Sequence, residues 1–243
     1  MAELRHYQEF KDILDKYHIS SRAQQATKDL RLVLLLAPTS AGKNTIIRRQ
    51  LKTGGYYFVV SDTTRPPREN DGVMEQNGKE YWFRTEEEML ADLKAGEFLE
   101  SEIIHNQQVS GISIRELEKA QKEGKIAITD VDIKGVHSVI KAKPDTIVIM
   151  LLPPSFEEWQ RRFAGRGHMR PDEQKRRLET SRNIFQEGLA QDYYHFVISE
   201  NIEQSGGIIN AIVEGKANPH QGRGRSLIEH LQSSLNDKLA SMY

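Results

Sequence analysis

Cysteine is absent from the 243-residue sequence, so disulfide bonds and thiolate zinc sites are excluded. No apolar run is long enough to span a membrane, and the N-terminus lacks the apolar core of a signal peptide. Together these absences predict a soluble, cytoplasmic protein with no membrane partner.

An excess of charge of one sign is also absent, because the formal net charge is −1. Bulk electrostatics therefore predict no nucleic-acid partner and no binding to an anionic membrane surface. The chain is long enough for one large α/β domain or a domain with insertions, and no internal repeat is evident. We expect a monomer or a homodimer.

The stretch that organises the rest of the sequence is residues 31–49. Its apolar run, Leu32–Leu36, is too short for a buried helix and is typical of a parallel strand covered on both faces. A loop of small residues follows, then Gly42 and Lys43, then a basic segment with helical character. This order of elements is typical of a phosphate-binding loop.

In such a loop, backbone N–H groups surround a phosphate, the helix N-terminus adds partial positive charge, and the lysine reaches the β- and γ-phosphates. The residues predicted to contact the nucleotide are Pro38, Thr39, Ser40, Ala41, Gly42, Lys43, Asn44 and Thr45. The usual motif has glycine at Ala37 and a hydroxyl residue at Asn44, so the match is imperfect. A generic buried strand followed by a turn is the alternative.

A second basic segment follows residues 56–60, which are predicted to form a strand. It contains Ser61 and two arginines three positions apart, Arg65 and Arg68, with two prolines between them. Arginine offers forked donors of fixed charge, and proline lowers the entropy lost when the loop becomes ordered. The segment therefore suits a second phosphate, with a solvated basic turn as the alternative.

Two carboxylates, Asp130 and Asp132, follow a predicted buried strand at residues 126–129. Residues two apart after a strand point the same way, toward the edge of an open α/β sheet where ligands bind. The alternative is a helix N-cap carboxylate beside a surface acid.

Residues 161–170 carry four arginines around two glycines, and more arginines follow on a helix predicted to start near Pro171. Such a density of cations beside glycine hinges is unusual for a solvated helix face. We expect a mobile lid that closes on phosphates.

The other segments carry weaker predictions. Periodicity and caps predict further helices at residues 85–96, 114–122 and 208–213. Further strands are predicted at residues 79–83, 146–152 and 193–199. Residues 104–110 have no strong period. Residues 215–225 are typical of a linker, and RNA contact through their Arg-Gly content is a weak alternative. Amphipathic helices at both termini are expected to pack on the body or on a second chain.

Taken in order, the motifs resemble those of the guanylate kinase family. They are APTSAGKNT, SDTTRPPR, NGKEYWF, EFLE, DVDIKG, RRFAGRG and KRRLE, and they extend over residues 32–213, roughly three quarters of the chain. The resemblance implies the α/β, three-layer P-loop NTPase fold, with a parallel sheet core, an inserted nucleoside-monophosphate-binding (NMP-binding) subdomain and a helical lid.

The resemblance also implies an organisation of the chain. The guanylate-kinase-like domain would be residues 31–214, with its core at residues 31–61 and 126–214, the NMP-binding insertion at residues 62–125 and the lid at residues 163–178. Residues 1–30 would be an N-terminal helical extension, and residues 215–243 a linker and a C-terminal amphipathic helix.

Residue roles follow from the resemblance, position by position. On the donor side, Lys43 and the lid arginines Arg162, Arg166 and Arg177 would clamp the ATP phosphates and the transferred group. Mg²⁺ would lie near Asp130 and Asn44, whose amide oxygen can bind the ion. On the acceptor side, the residues implied to bind GMP are Ser61, Arg65, Arg68, Tyr81, Glu100, Ser110, Asp130 and Asp132.

One segment departs from the family pattern, G-N-x-Y-G-[TS]. Ser110 stands in place of the phosphate-binding tyrosine, and Ile112 in place of the hydroxyl residue that contacts guanine O6. Ser110 or Ser113 would have to supply a hydroxyl there. Guanine is still favoured, because Glu100 and Asp132 are acceptors for its N–H edge.

The leading interpretation is therefore a nucleotide-metabolism enzyme that phosphorylates GMP or dGMP to the diphosphate with ATP. One alternative is a nucleoside monophosphate kinase of changed base preference, suggested by residues 107–113. Another is a non-catalytic guanylate-kinase-like binding module, suggested by Ala37 and Asn44.

Overall fold

A computed structural model describes residues 3–70, 72–165, 167 and 169–242. The chain folds as two compact units. The first comprises Met1–Leu32, Tyr56–Thr129 and His137–Thr146, and the second comprises Val33–Gly55, Asp130–Val136 and Ile147–Tyr243. Each unit is therefore assembled from segments that are distant in the sequence.

The helices, in chain order, are α1 (Tyr7–Leu14), α2 (Ser21–Thr27), α3 (Lys43–Lys52), α4 (Glu86–Lys94), α5 (Ile114–Lys122), α6 (Ile133–Ala142), α7 (Phe156–Ala164), α8 (Pro171–Ala190), α9 (Ile202–Val213) and α10 (Gln221–Ala240). The strands are β1 (Leu32–Leu36), β2 (Tyr56–Phe58), β3 (Asp62–Thr63), β4 (Glu69–Asn70), β5 (Val73–Met74), β6 (Trp82–Phe83), β7 (Phe98–Ile104), β8 (Gln108–Ser113), β9 (Ile126–Asp130), β10 (Ile147–Leu152) and β11 (Tyr194–Ile198). The mixture of strands and helices confirms the predicted α/β class. Across the described ranges, no helix is both long and apolar enough to cross a membrane.

The second unit contains three parallel strands in the order β11–β10–β1. All residues of β1 are buried, as its apolar run predicts. Helix α3 follows β1 and packs against α9, while α10 lies along α8 and contacts β11. The predicted phosphate-binding loop is thus the turn between the buried strand β1 and the helix α3, which packs against α9.

The first unit contains a mixed sheet in the order β6–β3–β8–β7, and β2 pairs with β9 in parallel. Helix α1 packs against α4 and β7, where Phe10 is buried beside Leu93 and Phe98. The Tyr17 hydroxyl also donates to the Phe98 carbonyl at 2.6 Å. The apolar face of the N-terminal helix is therefore covered by its own chain, as the first of the two interpretations predicts.

Side-chain caps mark the starts of α4 and α7. Thr85 and Glu88 form a capping box at α4, and the Ser155 side chain accepts from the Glu158 N–H at α7. Proline occupies the first turn of α8, where its missing N–H costs no hydrogen bond.

Other boundaries differ from the prediction. Residues 104–110 belong to the β7–β8 hairpin. The strands lack the usual alternation of apolar and polar residues because polar side chains bond within the sheet, as Ser110 does to Thr63 at 2.8 Å. Helix α9 starts at Ile202, since the Asn201 side chain caps it by accepting two backbone N–H groups. Helix α10 starts at Gln221, inside the stretch predicted to be a linker.

Candidate active site

The loop between β1 and α3 ends in a glycine with left-handed backbone geometry. Gly42 caps α3 with φ 98°, a left-handed conformation that favours glycine. Ala37, where the motif usually has glycine, does not have a positive φ, so its methyl group imposes no backbone strain. The first departure from the motif is therefore compatible with the loop.

Ser40 is one of the predicted nucleotide contacts, and its backbone conformation is a feature that the sequence did not indicate. Its φ is 64°, in the left-handed region that non-glycine residues rarely occupy. Its Oγ is buried and has no hydrogen-bond partner among the described residues. Backbone strain and an unsatisfied hydroxyl together make Ser40 a candidate ligand contact.

A cavity of about 770 Å³ lies over this loop, within the size range of small-molecule sites. It is lined by residues 37–46, Asp130, Arg162 and residues 199–202. The Asn44 side chain is exposed and lines this cavity rather than filling it. All predicted donor-loop residues are therefore brought to one cavity, together with one of the two predicted carboxylates and one lid arginine.

Lys43 and Asp130 form an ion pair in this cavity, with Nζ 2.6 Å from Oδ2. Both side chains are partly exposed, so the pair is open to exchange with a ligand. Asp130 is the last residue of β9, which explains why its carboxylate meets the lysine at the start of α3. Asp130 therefore lies beside the predicted phosphate-binding loop, and its role toward phosphate and metal stays a prediction.

Asp132 has a different position. Its Oδ1 accepts from the Gly135 N–H at 2.8 Å, and it does not line the cavity. This is the helix-cap alternative that the sequence left open, and it satisfies an N–H group at the start of α6.

Of the predicted lid arginines in the described part of the chain, one lines the cavity and one does not. Arg162 lines the cavity and donates to Ser199 Oγ at 2.9 Å and to the Ser199 carbonyl at 3.0 Å. Arg177 pairs with Glu173 within α8 and is not part of the cavity wall. Arg166 lies outside the described residues. Trp159 anchors α7 to the loop by donating from Nε1 to the Thr39 carbonyl at 2.7 Å.

In the first unit, the second basic segment is organised by a carboxylate that sequence reasoning missed. Arg65 donates from both terminal nitrogens to Glu75, at 2.5 and 3.0 Å, and both side chains are nearly buried. The Arg65 guanidinium also lies 4.6 Å from the ring centre of Tyr81. Tyr81 and Arg65 were both predicted to bind one phosphate, and the structure brings them together.

Glu75 also fixes the loop that carries Arg68. Its carboxylate accepts from the Arg68 N–H at 2.9 Å, and its own N–H donates to the Arg68 carbonyl at 2.9 Å. The Arg68 side chain is exposed. No sequence motif points to Glu75, because the β4–β5 hairpin separates it from the arginines.

The strand register orders the remaining acceptor residues. Glu100 pairs with Ile112 and Glu102 with Ser110 across the β7–β8 hairpin, so these four side chains share one face of the sheet. Ser113 follows Ile112 and points to the opposite face. Of the two hydroxyls considered for the guanine site, Ser110 is the one on the same face as Glu100.

Asp62, next to Ser61, is a fully buried carboxylate in the segment that carries the predicted GMP-binding residues Ser61 and Arg65. Asp62 accepts from Arg84 at 2.9 Å and from Arg115 at 2.8 Å. Burial raises the pKa of Asp62 to about 6, although both arginines act in the opposite direction. This network fixes the start of β3, from which Ser61 and Arg65 extend.

The sequence model of the guanylate kinase family matches residues 29–214. Guanylate kinase of Corynebacterium diphtheriae is 36% identical over 189 residues, covering 76% of this chain and 95% of the relative. Guanylate kinase of Symbiobacterium thermophilum is 33% identical over 211 residues, covering 85% and 96%.

Among solved structures, the crystal structure of guanylate kinase from Anaplasma phagocytophilum is similar, with a TM-score of 0.54 and 26% identity. The match covers 76% of this chain and 85% of that chain. Sequence and structure comparisons thus agree on one family.

Proposed function

The chain belongs to the guanylate kinase family, and from this premise we infer that it phosphorylates GMP with ATP as the phosphoryl donor. The observation that carries this inference is the cavity over the β1–α3 loop, which contains Lys43, Asp130 and Arg162. Its size suits a nucleotide, and its loop presents backbone donors and a lysine to a phosphate chain.

Phosphoryl transfer between two nucleotides depends on alignment and on neutralising charge, rather than on covalent help from the protein. We propose that residues 38–45 and Lys43 hold the ATP phosphates and that Arg162 neutralises the transferred group. A phosphate oxygen would replace Asp130 as the partner of the Lys43 ammonium. Arg166 and Arg177 are proposed to complete the clamp, for which Arg177 must exchange its bond with Glu173.

The residues beside the loop suit Mg²⁺, which prefers oxygen ligands and usually takes few of them from protein. The cavity wall offers the Asn44 amide oxygen, the Thr45 hydroxyl and the Asp130 carboxylate. No cluster of three or more acidic or histidine ligands occurs among the described residues, which agrees with a metal held mainly by phosphates. A bound Mg²⁺ would neutralise phosphate charge as the group moves.

On the acceptor side, we propose that Arg65, Arg68, Ser61 and Tyr81 bind the GMP phosphate. The Glu75 carboxylate holds Arg65 in place before the substrate arrives. Preorganisation of this kind lowers the entropy lost on binding.

For the base, we propose that Glu100 accepts from the guanine N–H edge and that Ser110 donates to O6, since both side chains lie on one sheet face. Asp132 is proposed to add to guanine recognition, although its carboxylate also caps α6.

A coupled assay of ADP release tests the activity, with GMP, dGMP, AMP, CMP and UMP as acceptors. We expect turnover with GMP and dGMP to exceed turnover with the other three nucleotides. Turnover with none of the five would contradict the proposed function, and a ranking led by another base would contradict the proposed roles of Glu100 and Ser110.

We propose the cytoplasm as the site of the reaction and small-molecule nucleotides as the partners. The choice between a monomer and a homodimer stays a prediction, which sedimentation of the purified protein tests.

A further inference from the structure

The C-terminal segment continues beyond residue 214, where the match to the guanylate kinase family ends. Helix α10 of this segment lies along α8 and also packs on α7 and β11. Its buried face consists of Gly224, Ile228, Leu231, Leu235 and Leu239. The segment is therefore an integral part of the unit that holds the phosphate-binding loop.

Side chains at the start of this segment bond to the outer edge of β11. The Phe196 N–H donates to Gln221 Oε1 at 3.2 Å, and the Ile198 N–H donates to His220 Nδ1 at 3.1 Å. Asn218 Nδ2 donates to the Phe196 carbonyl at 3.0 Å. An edge strand leaves such groups unpaired unless something covers them, and here side chains take the place of a further strand.

Gly224 allows this close approach. A Cβ at that position would lie 2.3 Å from Cβ of Phe196, which no side chain can tolerate. A glycine in a stretch that resembles a linker is therefore required for docking α10 on β11.

The covered strand leads directly into the donor cavity. Residues 199–202 follow β11 and line the cavity together with the phosphate-binding loop. Among them, Glu200 is an acceptor-only carboxylate in a cavity whose other charged lining residues are Lys43, Arg162 and Asp130, with Asp130 paired to Lys43. The Glu200 carboxylate is paired with Arg223, which lies in the first turn of α10.

We propose that the C-terminal helix is a functional part of the ATP site, with Arg223 as a positioning residue that orients and neutralises Glu200. The inference rests on the proposed function, because it assigns the cavity to ATP. An uncompensated carboxylate in the wall repels a phosphate chain, whereas a paired one does not. Arg223 is 58% exposed, so its removal leaves no buried charge behind it.

Substitution of Arg223→Ala tests the proposal. We expect KM for ATP to rise about threefold to fivefold, the upper part of the range that an exposed ion pair supports. KM for GMP and Tm should stay nearly unchanged. Added salt should shrink the increase, because screening weakens the repulsion from Glu200. Arg223→Lys should keep KM for ATP near the wild-type value, since it retains the charge.

The matched control is Arg225→Ala, two residues further along the same helix. Arg225 donates to the Leu189 carbonyl at 2.9 Å and lies 3.5 Å from Asp192, and none of the three lines the cavity. The double substitution Arg223→Ala with Glu200→Gln should bring KM for ATP back toward the wild-type value. A KM for ATP in Arg223→Ala equal to that of the wild type or of Arg225→Ala would overturn the proposal.

Calorimetric titration with ADP alone separates this inference from the proposed function. Binding of ADP should weaken in Arg223→Ala by a similar factor, whether or not phosphoryl transfer is observed. Unchanged ADP affinity would overturn the role of Arg223. Absence of turnover in the wild-type protein would instead overturn the proposed function and leave the ADP result to be judged on its own.

Discussion

The two segments proposed to bind phosphate, one in each unit, are built in different ways. The donor loop, residues 37–45, is built from backbone: a left-handed Gly42, the start of α3 and one lysine. The acceptor loop, residues 61–81, is built from side chains, and its central Arg65 depends on Glu75 across the β4–β5 hairpin. A site made of backbone groups can lie within one contiguous motif. A site made of side chains also needs residues from elsewhere in the chain to hold those side chains in place.

The two cations are also held differently before substrate binds. The side chains of Lys43 and Asp130 are 25% and 36% exposed, whereas those of Arg65 and Glu75 are 5% and 8% exposed. Water can solvate the separated ions of an exposed pair, but removing one partner of a buried pair leaves an uncompensated charge. We therefore expect the donor cation to matter for catalysis alone and the acceptor pair to matter for folding as well.

The largest effect is expected from Lys43→Ala in the donor loop. Removing the cation that stabilises the phosphate chain should lower kcat by about 100-fold or more. Unfolding midpoints should change little, because the ion pair is partly exposed. Steady-state kinetics and urea unfolding measure both quantities. Lys52→Ala, at the exposed C-terminal end of the same helix, is the control and should have wild-type kcat. A wild-type kcat in Lys43→Ala would remove the distinction between the loops.

In the acceptor loop, Glu75→Ala should affect folding and binding together. Loss of one partner of the buried pair should lower the free energy of unfolding by about 3 kcal/mol. KM for GMP should rise because Arg65 is no longer held, while KM for ATP stays constant. Urea unfolding and kinetics at varied GMP concentration test this. The exposed Glu69, on β4, provides the control Glu69→Ala. A stability loss as small as that of the control would mean that Arg65 needs no internal partner.

Local signals explain how much of the fold could be predicted from the sequence. The bounds of β1 and α5 agree with the prediction, because a short apolar run and a helical period terminated by Gly124 are complete signals in themselves. The β7–β8 hairpin was missed because its polar residues are satisfied by neighbouring strands. The start of α10 was missed because Gly224 is required by close contact with Phe196, which lies 28 positions earlier in the sequence.

The same distinction applies to the site. Lys43 and Asp130 could be predicted to meet, since both follow buried strands and ligand sites form at the carboxyl ends of such strands. The Glu75 partner of Arg65 could not, because nothing in the intervening hairpin indicates how it folds back. The positive φ of Ser40 was equally invisible, since the motif tolerates small residues without stating which conformation each adopts.

A smaller effect on stability is expected from substitutions of Ser40. Two variants separate the contribution of its strained backbone from that of its hydroxyl group. Ser40→Gly should relieve the left-handed strain and raise the free energy of unfolding by up to about 1 kcal/mol, after the entropy cost of glycine. Ser40→Ala keeps the strain and removes only the unsatisfied hydroxyl. Urea unfolding should therefore rank Ser40→Gly above Ser40→Ala. Equal stability of the two variants would show that the loop stores no strain at this residue.

A change of pH should affect the two units in opposite ways. Burial raises the pKa of Asp62, in the first unit, from an ordinary 3.8 to about 6. The folded form therefore binds the proton more tightly, and this contribution to stability increases as pH falls through 6 toward 4. Burial lowers the pKa of His220, in the second unit, below its ordinary 6.5, with Arg223 acting in the same direction. The neutral ring accepts from Ile198, so this contribution is lost as pH falls below 6.5.

Acidification from pH 7 to pH 5 should therefore move the local stabilities of the two units in opposite directions. Opening free energies from amide hydrogen exchange, corrected for the intrinsic rate at each pH, should rise for β3 and fall for β11. His220→Asn retains an acceptor without a titrating ring and should abolish the change in β11. Asp62→Asn should abolish the change in β3. A change of the same sign in both strands would mean that a shared response of the molecule outweighs these two buried groups.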